Sequence, residues 1–263
     1  MKLNGRVTLI TGGGTGIGRA IACSFAKEGA TIVINYSKSE SDAVRTAAEV
    51  KALGVSSSII RADVSSDSQV RAMVDQVRKE FGRVDILVNN AGYTRFISHA
   101  DLEAMEEETW DRIFAINVKG SFFCSRAVAP LMKRQGNGRI INIASVAGLT
   151  GQGSSIAYCA SKAALICMTK SLARALAPEV RVNAIAPGLI DTRWLEGGAD
   201  PDAMRERFRN AALLKRVGTA EDIAAVAVSL AVDWSFVTGQ VIVVDGGISL
   251  GLSIASCRLL KNS

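Results

Sequence analysis

Tyr158 and Lys162 are the two residues whose types and spacing could do chemistry together. They lie four residues apart in a segment of helical periodicity, so their side chains share one face of a helix. An ammonium beside a phenol favours the phenolate and lowers the pKa of the tyrosine from about 10. Ser145 ends the apolar run before this helix and could reach the same space. The pair is therefore a candidate general acid/base, although such spacing by itself more often reflects a packed ring and a solvated ammonium.

A glycine-rich turn follows the first apolar run of the chain. Residues 7–11 have the composition of a buried strand, residues 12–18 are rich in glycine, and residues 19–28 have helical periodicity. This order directs free backbone N–H groups at a phosphate. Glycines at positions 12, 16 and 18 form a spacing variant of the usual dinucleotide-binding fingerprint. We predict a phosphate site here, with a plain turn as the alternative.

The end of the second predicted strand bears on which dinucleotide would bind. In such sites an acidic residue at this position accepts the 2′-hydroxyl of NAD. The chain instead has Tyr36, Ser37 and Lys38, followed by Ser39. Hydroxyls and an ammonium could receive the 2′-phosphate of NADP, so we predict that NADP(H) is preferred and that NAD(H) is possible. A polar loop without a ligand is the alternative.

Apolar strand-like runs alternate with helical segments along the whole chain. This alternation predicts an α/β fold, a Rossmann-like doubly wound seven-stranded parallel sheet with helices on both faces. The predicted strands are residues 7–11, 31–36, 57–61, 84–88, 139–144, 181–186 and 239–245. No linker or repeat interrupts them, so we expect a single domain over residues 1–251.

Polar residues also occur where such a sheet would bind ligands. Residues 89–92 follow the fourth predicted strand at its carboxyl end, which is the ligand-binding edge. Asn117 lies within a predicted helix over residues 110–134, flanked by Ile116 and Val118. An asparagine is mildly unfavourable inside a helix and usually lies on the surface. The apolar flanks favour a buried polar role here.

Two later segments are less regular. Residues 189–214 are richer in charge and are expected to form a helical lid over the carboxyl edge of the sheet. Residues 252–263 form a C-terminal tail whose structure the sequence leaves open.

Composition limits the other functions that the chain could have. The net charge of +6 is scattered and is not interleaved with aromatics, which argues against nucleic-acid binding. The five cysteines lack metal-ligand spacing and are expected to be reduced and mostly buried. Because the chain has a single histidine, His99, we expect neither a zinc site nor a Ser-His-Asp triad. No apolar run approaches 18 residues, so we expect no membrane span and a cytoplasmic protein.

These segments together resemble the short-chain dehydrogenase/reductase family over almost the whole chain, and most of all its 3-oxoacyl-[acyl-carrier-protein] reductase type. The matching residues are 11–18, Asp63, Val64, 89–92, Asn117, Ser145, Tyr158, Lys162, 187–188, 190–192 and 244–247. Sugar, steroid and small-alcohol dehydrogenases of the family share these features. In carrier-protein reductases that use NADPH, an arginine is often present where this chain has Thr15, which weakens the NADP prediction.

The resemblance implies a role for each matching residue. Asn117, Ser145, Tyr158 and Lys162 would be catalytic, with Ser145 and Tyr158 binding the substrate oxygen and Asn117 completing a proton relay through water. The pyrophosphate would lie on the glycine-rich turn, adenine at Asp63 and Val64, the adenosine ribose near Asn89, and the nicotinamide carboxamide at Ile190 and Thr192. The implied cofactor-binding residues are Gly12, Gly14, Thr15, Gly16, Ile17, Gly18, Tyr36, Ser37, Lys38, Asp63, Val64, Asn89, Ala91, Gly92, Tyr158, Lys162, Pro187, Gly188, Ile190 and Thr192.

The implied activity is NAD(P)(H)-dependent interconversion of a carbonyl and a secondary alcohol. The best match is an NADPH-dependent reductase of 3-oxoacyl groups, with a substrate that could be bound to a carrier protein, in a homotetramer or homodimer without metal. The alternatives are a dehydrogenase of a sugar, steroid or small alcohol, and a non-catalytic dinucleotide-binding protein on the same fold.

Overall fold

Seven parallel strands form one sheet through the middle of the protein. The computed structural model describes residues 1–250, and its strands have the order β3-β2-β1-β4-β5-β6-β7. The strands are β1 (Val7–Ile10), β2 (Thr31–Tyr36), β3 (Ser57–Arg61), β4 (Ile86–Asn89), β5 (Gly138–Ile143), β6 (Val180–Pro187) and β7 (Val241–Val244). The predicted Rossmann-like α/β fold is confirmed, whereas the tail at 252–263 lies outside the described residues.

Helices cover both faces of this sheet. They are α1 (Gly16–Lys27), α2 (Glu40–Ala52), α3 (Asp67–Phe81), α4 (Glu107–Phe114), α5 (Ser121–Gln135), α6 (Ala147–Thr150), α7 (Ile156–Leu176), α8 (Pro201–Ala211) and α9 (Ala220–Val232). A π-helical segment, Ala115–Gly120, joins α4 to α5, and short 3-10 helices occupy Arg193–Gly197 and Ile248–Leu250. Within residues 1–250, no helix is both long and apolar enough to cross a bilayer.

The sheet separates two apolar cores. Neighbouring residues of β1 point to opposite faces, so Ile10 belongs to the core that contains Phe25 of α1, while Leu9 belongs to the core that contains Met132 of α5. Strands that are buried on both faces need apolar side chains at successive positions. This requirement explains the continuous apolar runs that made the strands recognisable in the sequence.

The strand order reverses at β1, and this reversal sets the position of the site. β1 pairs with β2 on one side and with β4 on the other. Chains leaving β1 and β4 turn to opposite faces, which opens a crevice at the carboxyl edge. The side-chain amide of Asn90 closes the base of this crevice, because its Nδ2 donates to the carbonyl oxygens of Thr11 and Gly12 at 3.0 Å each.

The structure corrects one local expectation. The helix predicted over residues 110–134 begins at Glu107 and contains the π-helical segment Ala115–Gly120, so it is not one regular α-helix. Between Ser145 and Tyr158 the chain forms the short helix α6. The lid predicted over residues 189–214 consists of the 3-10 helix Arg193–Gly197 followed by α8.

Candidate active site

The glycine-rich turn is shaped by close backbone approaches. A Cβ atom on Gly18 would overlap the carbonyl oxygen of Gly12, so only glycine fits at this position. Gly12 and Gly16 have φ angles of +61° and +52°, in the left-handed region that glycine adopts without strain. Thr46 of α2 fixes the other side of the turn, because its hydroxyl donates to the carbonyl oxygen of Gly14 at 2.9 Å. The turn is thus held in place by backbone and side-chain contacts.

This turn fits the pyrophosphate of a dinucleotide. α1 begins at Gly16, directly after the turn, and has no acidic residue in its first turn. Its first N–H groups and its dipole therefore favour an anion at this end. A Cβ on Gly14 would lie 3.0 Å from the backbone nitrogen of Ala43, so the backbone of α2 packs closely against the turn. Gly12, Gly14, Thr15, Gly16, Ile17 and Gly18 thus form a rigid cradle of backbone atoms.

The residues expected near the adenosine differ in their exposure. Tyr36 is buried, whereas Ser37 and Lys38 are exposed at the end of β2. Asp63 turns its carboxylate toward its own loop, where Oδ1 accepts from the backbone N–H and hydroxyl of Ser65 at 2.9 and 2.7 Å. Val64 is buried against the π-helical segment. These residues line the side of the crevice next to β2 and β3.

Asn89 faces the core with its amide nitrogen. Nδ2 of Asn89 donates to Oδ1 of Asn142 at 2.8 Å and to the hydroxyl of Ser125 at 3.0 Å. That amide nitrogen therefore joins β4 to β5 and α5 beneath the crevice. Ala91 lies beside the cradle, because its N–H donates to the hydroxyl of Thr11 at 3.0 Å.

Ser145, Tyr158 and Lys162 come together at the carboxyl end of β5. Ser155 caps α7, because its hydroxyl accepts from the N–H of Tyr158, and this cap sets where the helix begins. Nζ of Lys162 lies 5.6 Å from the centre of the Tyr158 ring and donates to the carbonyl oxygen of Ile143 at 2.7 Å. The hydroxyl of Ser145 accepts from the N–H of Ala147 at 3.1 Å, which fixes its position beside the phenol. The three side chains form one compact polar group.

Burial reverses the expected pKa shift of Tyr158. Burial raises the pKa of Tyr158 to about 12, and the neighbouring Ser145 hydroxyl only partly opposes this shift. Burial also lowers the pKa of Lys162 to about 8. The expectation that the pKa of this phenol is lowered is therefore wrong, because removal from water outweighs the hydrogen bond with Ser145.

Asn117 lies in the π-helical segment and is held by three hydrogen bonds. Its Oδ1 accepts from the N–H of Tyr93 at 2.8 Å, and its Nδ2 donates to the carbonyl oxygen of Tyr93 and to the hydroxyl of Ser161, both at 3.0 Å. The Ser161 hydroxyl in turn donates to the carbonyl oxygen of Tyr158 at 2.8 Å. Asn117 is thus buried and connected to the helix that carries Tyr158, as its apolar flanks indicated.

The lid adds contacts that the sequence did not suggest. Pro187 ends β6, Gly188 follows it, and Ile190 is buried. Cγ2 of Thr192 lies 3.5 Å from the position that a Cβ on Gly16 would take. Trp194 packs against Tyr158, with 6.0 Å between the ring centres. Sequence reasoning passed over Trp194 because no regular spacing connects it to the site.

Other candidate groups lie apart from this site. His99 is exposed in the loop before α4. Of the four described cysteines, Cys124 and Cys159 are buried, Cys23 is half-buried and Cys167 is exposed. In the described part of the chain, no group of three His, Cys, Asp or Glu side chains is arranged to hold a metal ion.

We expect Lys162→Met to raise the free energy of unfolding at pH 7. The folded state disfavours the charged lysine, so the unfolded state binds more protons between pH 8 and the ordinary lysine pKa of about 10.4. Removing the charged lysine relieves this penalty but also removes the hydrogen bond to the carbonyl oxygen of Ile143. The net gain in the free energy of unfolding is about 1–2 kcal/mol. Because wild-type stability rises with pH over this range, the gain shrinks at pH 10.

Urea unfolding at pH 7 and pH 10 measures this effect. Lys170→Met, on an exposed position of α7, is the matched control and leaves stability nearly unchanged at both pH values. A Lys162→Met protein that is less stable than wild type at pH 7 contradicts the expectation.

Comparison with known proteins identifies the family. A family model described as enoyl-(acyl carrier protein) reductase matches residues 12–249. The 3-oxoacyl-[acyl-carrier-protein] reductase FabG of Thermotoga maritima is 42% identical over 94% of this chain and 99% of its own. Among solved structures, levodione reductase has a TM-score of 0.89 at 34% identity, covering 95% of this chain and 99% of its own. NAD+-bound xylitol dehydrogenase has a TM-score of 0.87 at 34% identity, covering 94% and 100%. The chain belongs to the short-chain dehydrogenase/reductase family and is an NAD(P)-dependent oxidoreductase.

Proposed function

We propose that this protein is an NADPH-dependent reductase of 3-oxoacyl groups carried on acyl carrier protein. The observation that carries the proposal is the clustering of Ser145, Tyr158 and Lys162 at the carboxyl end of β5, with Asn117 bonded to the helix that carries Tyr158. The 42% identity to a 3-oxoacyl-[acyl-carrier-protein] reductase supports this substrate class. A nicotinamide cofactor, when bound, would supply the hydride.

The chain's own groups act on the carbonyl oxygen of the substrate. The high pKa of Tyr158 keeps its phenol protonated at neutral pH, which suits a group that donates a proton to the developing alkoxide. The Ser145 hydroxyl, held beside the phenol, donates a hydrogen bond to the same oxygen as negative charge develops. In the reverse reaction, the oxidation of an alcohol, Tyr158 would accept the same proton from the hydroxyl of the substrate.

Lys162 and Asn117 return the proton to Tyr158. A pKa near 8 allows Lys162 to gain and lose a proton close to neutral pH. Its ammonium also attracts the phenolate that Tyr158 becomes after the transfer. Asn117 anchors the helix above this pair through Ser161 and would hold the water through which the proton arrives.

We expect Tyr158→Phe to abolish reduction of an acetoacetyl thioester while cofactor binding persists. Loss of a general acid costs about 100-fold or more in turnover. Turnover is followed by nicotinamide absorbance, and cofactor binding by nicotinamide fluorescence. Cofactor binding is the internal control for folding. Turnover within a few-fold of wild type would exclude Tyr158 as the proton donor.

A second candidate function is oxidation or reduction of a sugar, steroid or small alcohol. Levodione reductase and xylitol dehydrogenase have the same fold at high similarity, so the scaffold also suits small free substrates. A panel of acetoacetyl thioesters, polyols, steroids and cyclic diketones distinguishes the two. A thioester turned over at least tenfold more efficiently than every free substrate supports the carrier-bound class, and the reverse order supports the second candidate.

The exposed end of β2 supports a preference for NADPH. Ser37 and Lys38 are exposed where the 2′-phosphate of the adenosine ribose would lie.

We expect Lys38→Ala to weaken NADPH binding about tenfold, as for loss of one charged hydrogen bond, and to leave NADH binding unchanged. Fluorescence titration measures both. Lys27→Ala, at the far end of α1, is the control, and an unchanged ratio of the two affinities in Lys38→Ala would remove Lys38 from the site.

We propose that the protein is a homotetramer or homodimer. Trp110 and Phe114 stack on the outer side of α4, and Phe122 is exposed on α5. Large exposed aromatics on adjoining segments are typical of an interface between subunits.

Light scattering should give two or four times the 27.8 kDa chain mass. Trp110→Glu, which puts a charge on this face, should shift the mass toward one chain, and a wild-type monomer would contradict the proposal.

The cytoplasm is the proposed location. The four described cysteines are free thiols, as in a reducing compartment. Cell fractionation tests this location, and recovery outside the cytoplasmic fraction would contradict it.

A further inference from the structure

The guanidinium of Arg193 reaches from one half of the sheet to the other. Arg193 belongs to the segment after β6, whereas its partners are at the start of α2, which follows β2. Its Nη1 donates to Oδ2 of Asp42 at 2.5 Å, and its Nη2 donates to the hydroxyl of Ser39 at 3.2 Å. A positive charge carried by the segment after β6 therefore lies beside the end of β2.

The backbone that carries Arg193 is anchored on both sides. Ile190 and Leu195 are buried. Cγ2 of Thr192 lies 3.5 Å from the position that a Cβ on Gly16 would take, so the residue before Arg193 packs at the start of α1. The reach of the arginine toward α2 is therefore set by packing within the fold.

The start of α2 is also a wall of the glycine-rich turn. The position of a Cβ on Gly14 is 3.0 Å from the backbone nitrogen of Ala43 and 3.3 Å from the carbonyl carbon of Asp42. In dinucleotide sites the adenosine ribose lies near the end of the second strand, where an arginine can accommodate the 2′-phosphate of NADP. Arg193 therefore lies in the corner between the turn and β2 where this phosphate would bind.

Positive charge in this corner comes from few groups. Residues 12–18 contain no charged side chain, and Arg19, the first cation of α1, bonds to Glu49 at 2.7 Å. Arg45 donates to Oδ1 of Asp42 at 2.5 Å, and Arg193 donates to the other oxygen. Two guanidinium groups thus share one carboxylate, which leaves these three groups with a net positive charge.

Arg193 keeps donors for a further ligand. A guanidinium has more N–H groups than the two that Arg193 gives to Asp42 and Ser39. The Arg193 side chain is 57% exposed, so its other N–H groups are accessible. The planar fork of a guanidinium matches the oxygens of a phosphate, and an ammonium lacks this geometry. Asp42 therefore orients the arginine and leaves part of its fork accessible.

We propose that Arg193 binds the 2′-phosphate of NADP(H) from the segment after β6, opposite Lys38 on the β2 side. The inference rests on the proposed preference for NADPH and names a residue that would produce it. A charged hydrogen bond at an exposed site contributes about tenfold to affinity. Arg193 would therefore set which of the two dinucleotides binds more tightly.

The test uses two nucleotides that differ only in this phosphate, adenosine 2′,5′-bisphosphate and 5′-AMP. Each displaces NADH, and the fall in nicotinamide fluorescence gives its affinity. We expect wild type to bind the bisphosphate about tenfold or more tightly than 5′-AMP. Arg193→Gln and Arg193→Ala should each weaken the bisphosphate about tenfold and leave 5′-AMP unchanged. Arg209→Ala, the same loss of charge at an exposed position of α8, should change neither affinity.

The affinity for 5′-AMP is the internal control for folding. A wild-type preference for the bisphosphate that persists in both Arg193 variants overturns the assignment and leaves the NADPH preference intact. Equal weakening of both nucleotides also overturns it, because Arg193 would then only join α2 to the segment after β6. A wild type without any preference contradicts the NADPH preference and this assignment together. The measurement involves no carbonyl substrate, so failure of thioester reduction would leave it unaffected.

Discussion

The active site depends on a positive charge that the fold keeps away from water. Lys162 is 4% exposed, and its ammonium donates to the carbonyl oxygen of Ile143. No ion pair within residues 1–250 includes it. A buried ammonium with no carboxylate partner is costly, and the lowered pKa of Lys162 expresses that cost. The two apolar cores offset this cost, so the stability of the fold keeps in place an ammonium whose pKa is about 8.

A chain of buried amides keeps this costly group in position. Nδ2 of Asn89 donates to Asn142, and Nδ2 of Asn142 donates to the hydroxyl of Thr169 on α7 at 2.9 Å. The chain therefore runs from β4 through β5 to the helix that carries Tyr158 and Lys162. Buried polar groups that are fully bonded fix a single arrangement, because every displacement leaves a donor or acceptor without a partner. Asn117 performs the same task from the π-helical segment on the opposite side of α7.

The sequence predicted the fold well because its signals were local. Buried strands require continuous apolar runs, and the seven predicted strands all showed them. The π-helical segment around Asn117 could not be predicted, since it depends on partners at Tyr93 and Ser161 that are distant in sequence. The pKa of Tyr158 was predicted in the wrong direction for a related reason. Spacing reveals which charges are neighbours, whereas desolvation depends on the whole surrounding fold.

Residues 189–214, the segment predicted as a lid, are held by different contacts from the site residues. Lys162 is buried, and the amides of Asn142 and Asn117 bond α7 to β5 and to the π-helical segment, contacts that are lost only with large cost. Helix α8 of this segment contributes no fully buried residue, and Arg193 is held to Asp42 by a charged contact that water can replace, whereas Ile190 and Leu195 of the same segment are buried. Such contacts can break and reform without disturbing either core. A rigid group of polar side chains beneath a cover held partly by exposed ion pairs would allow a desolvated site to exchange ligand, because only the cover would have to move.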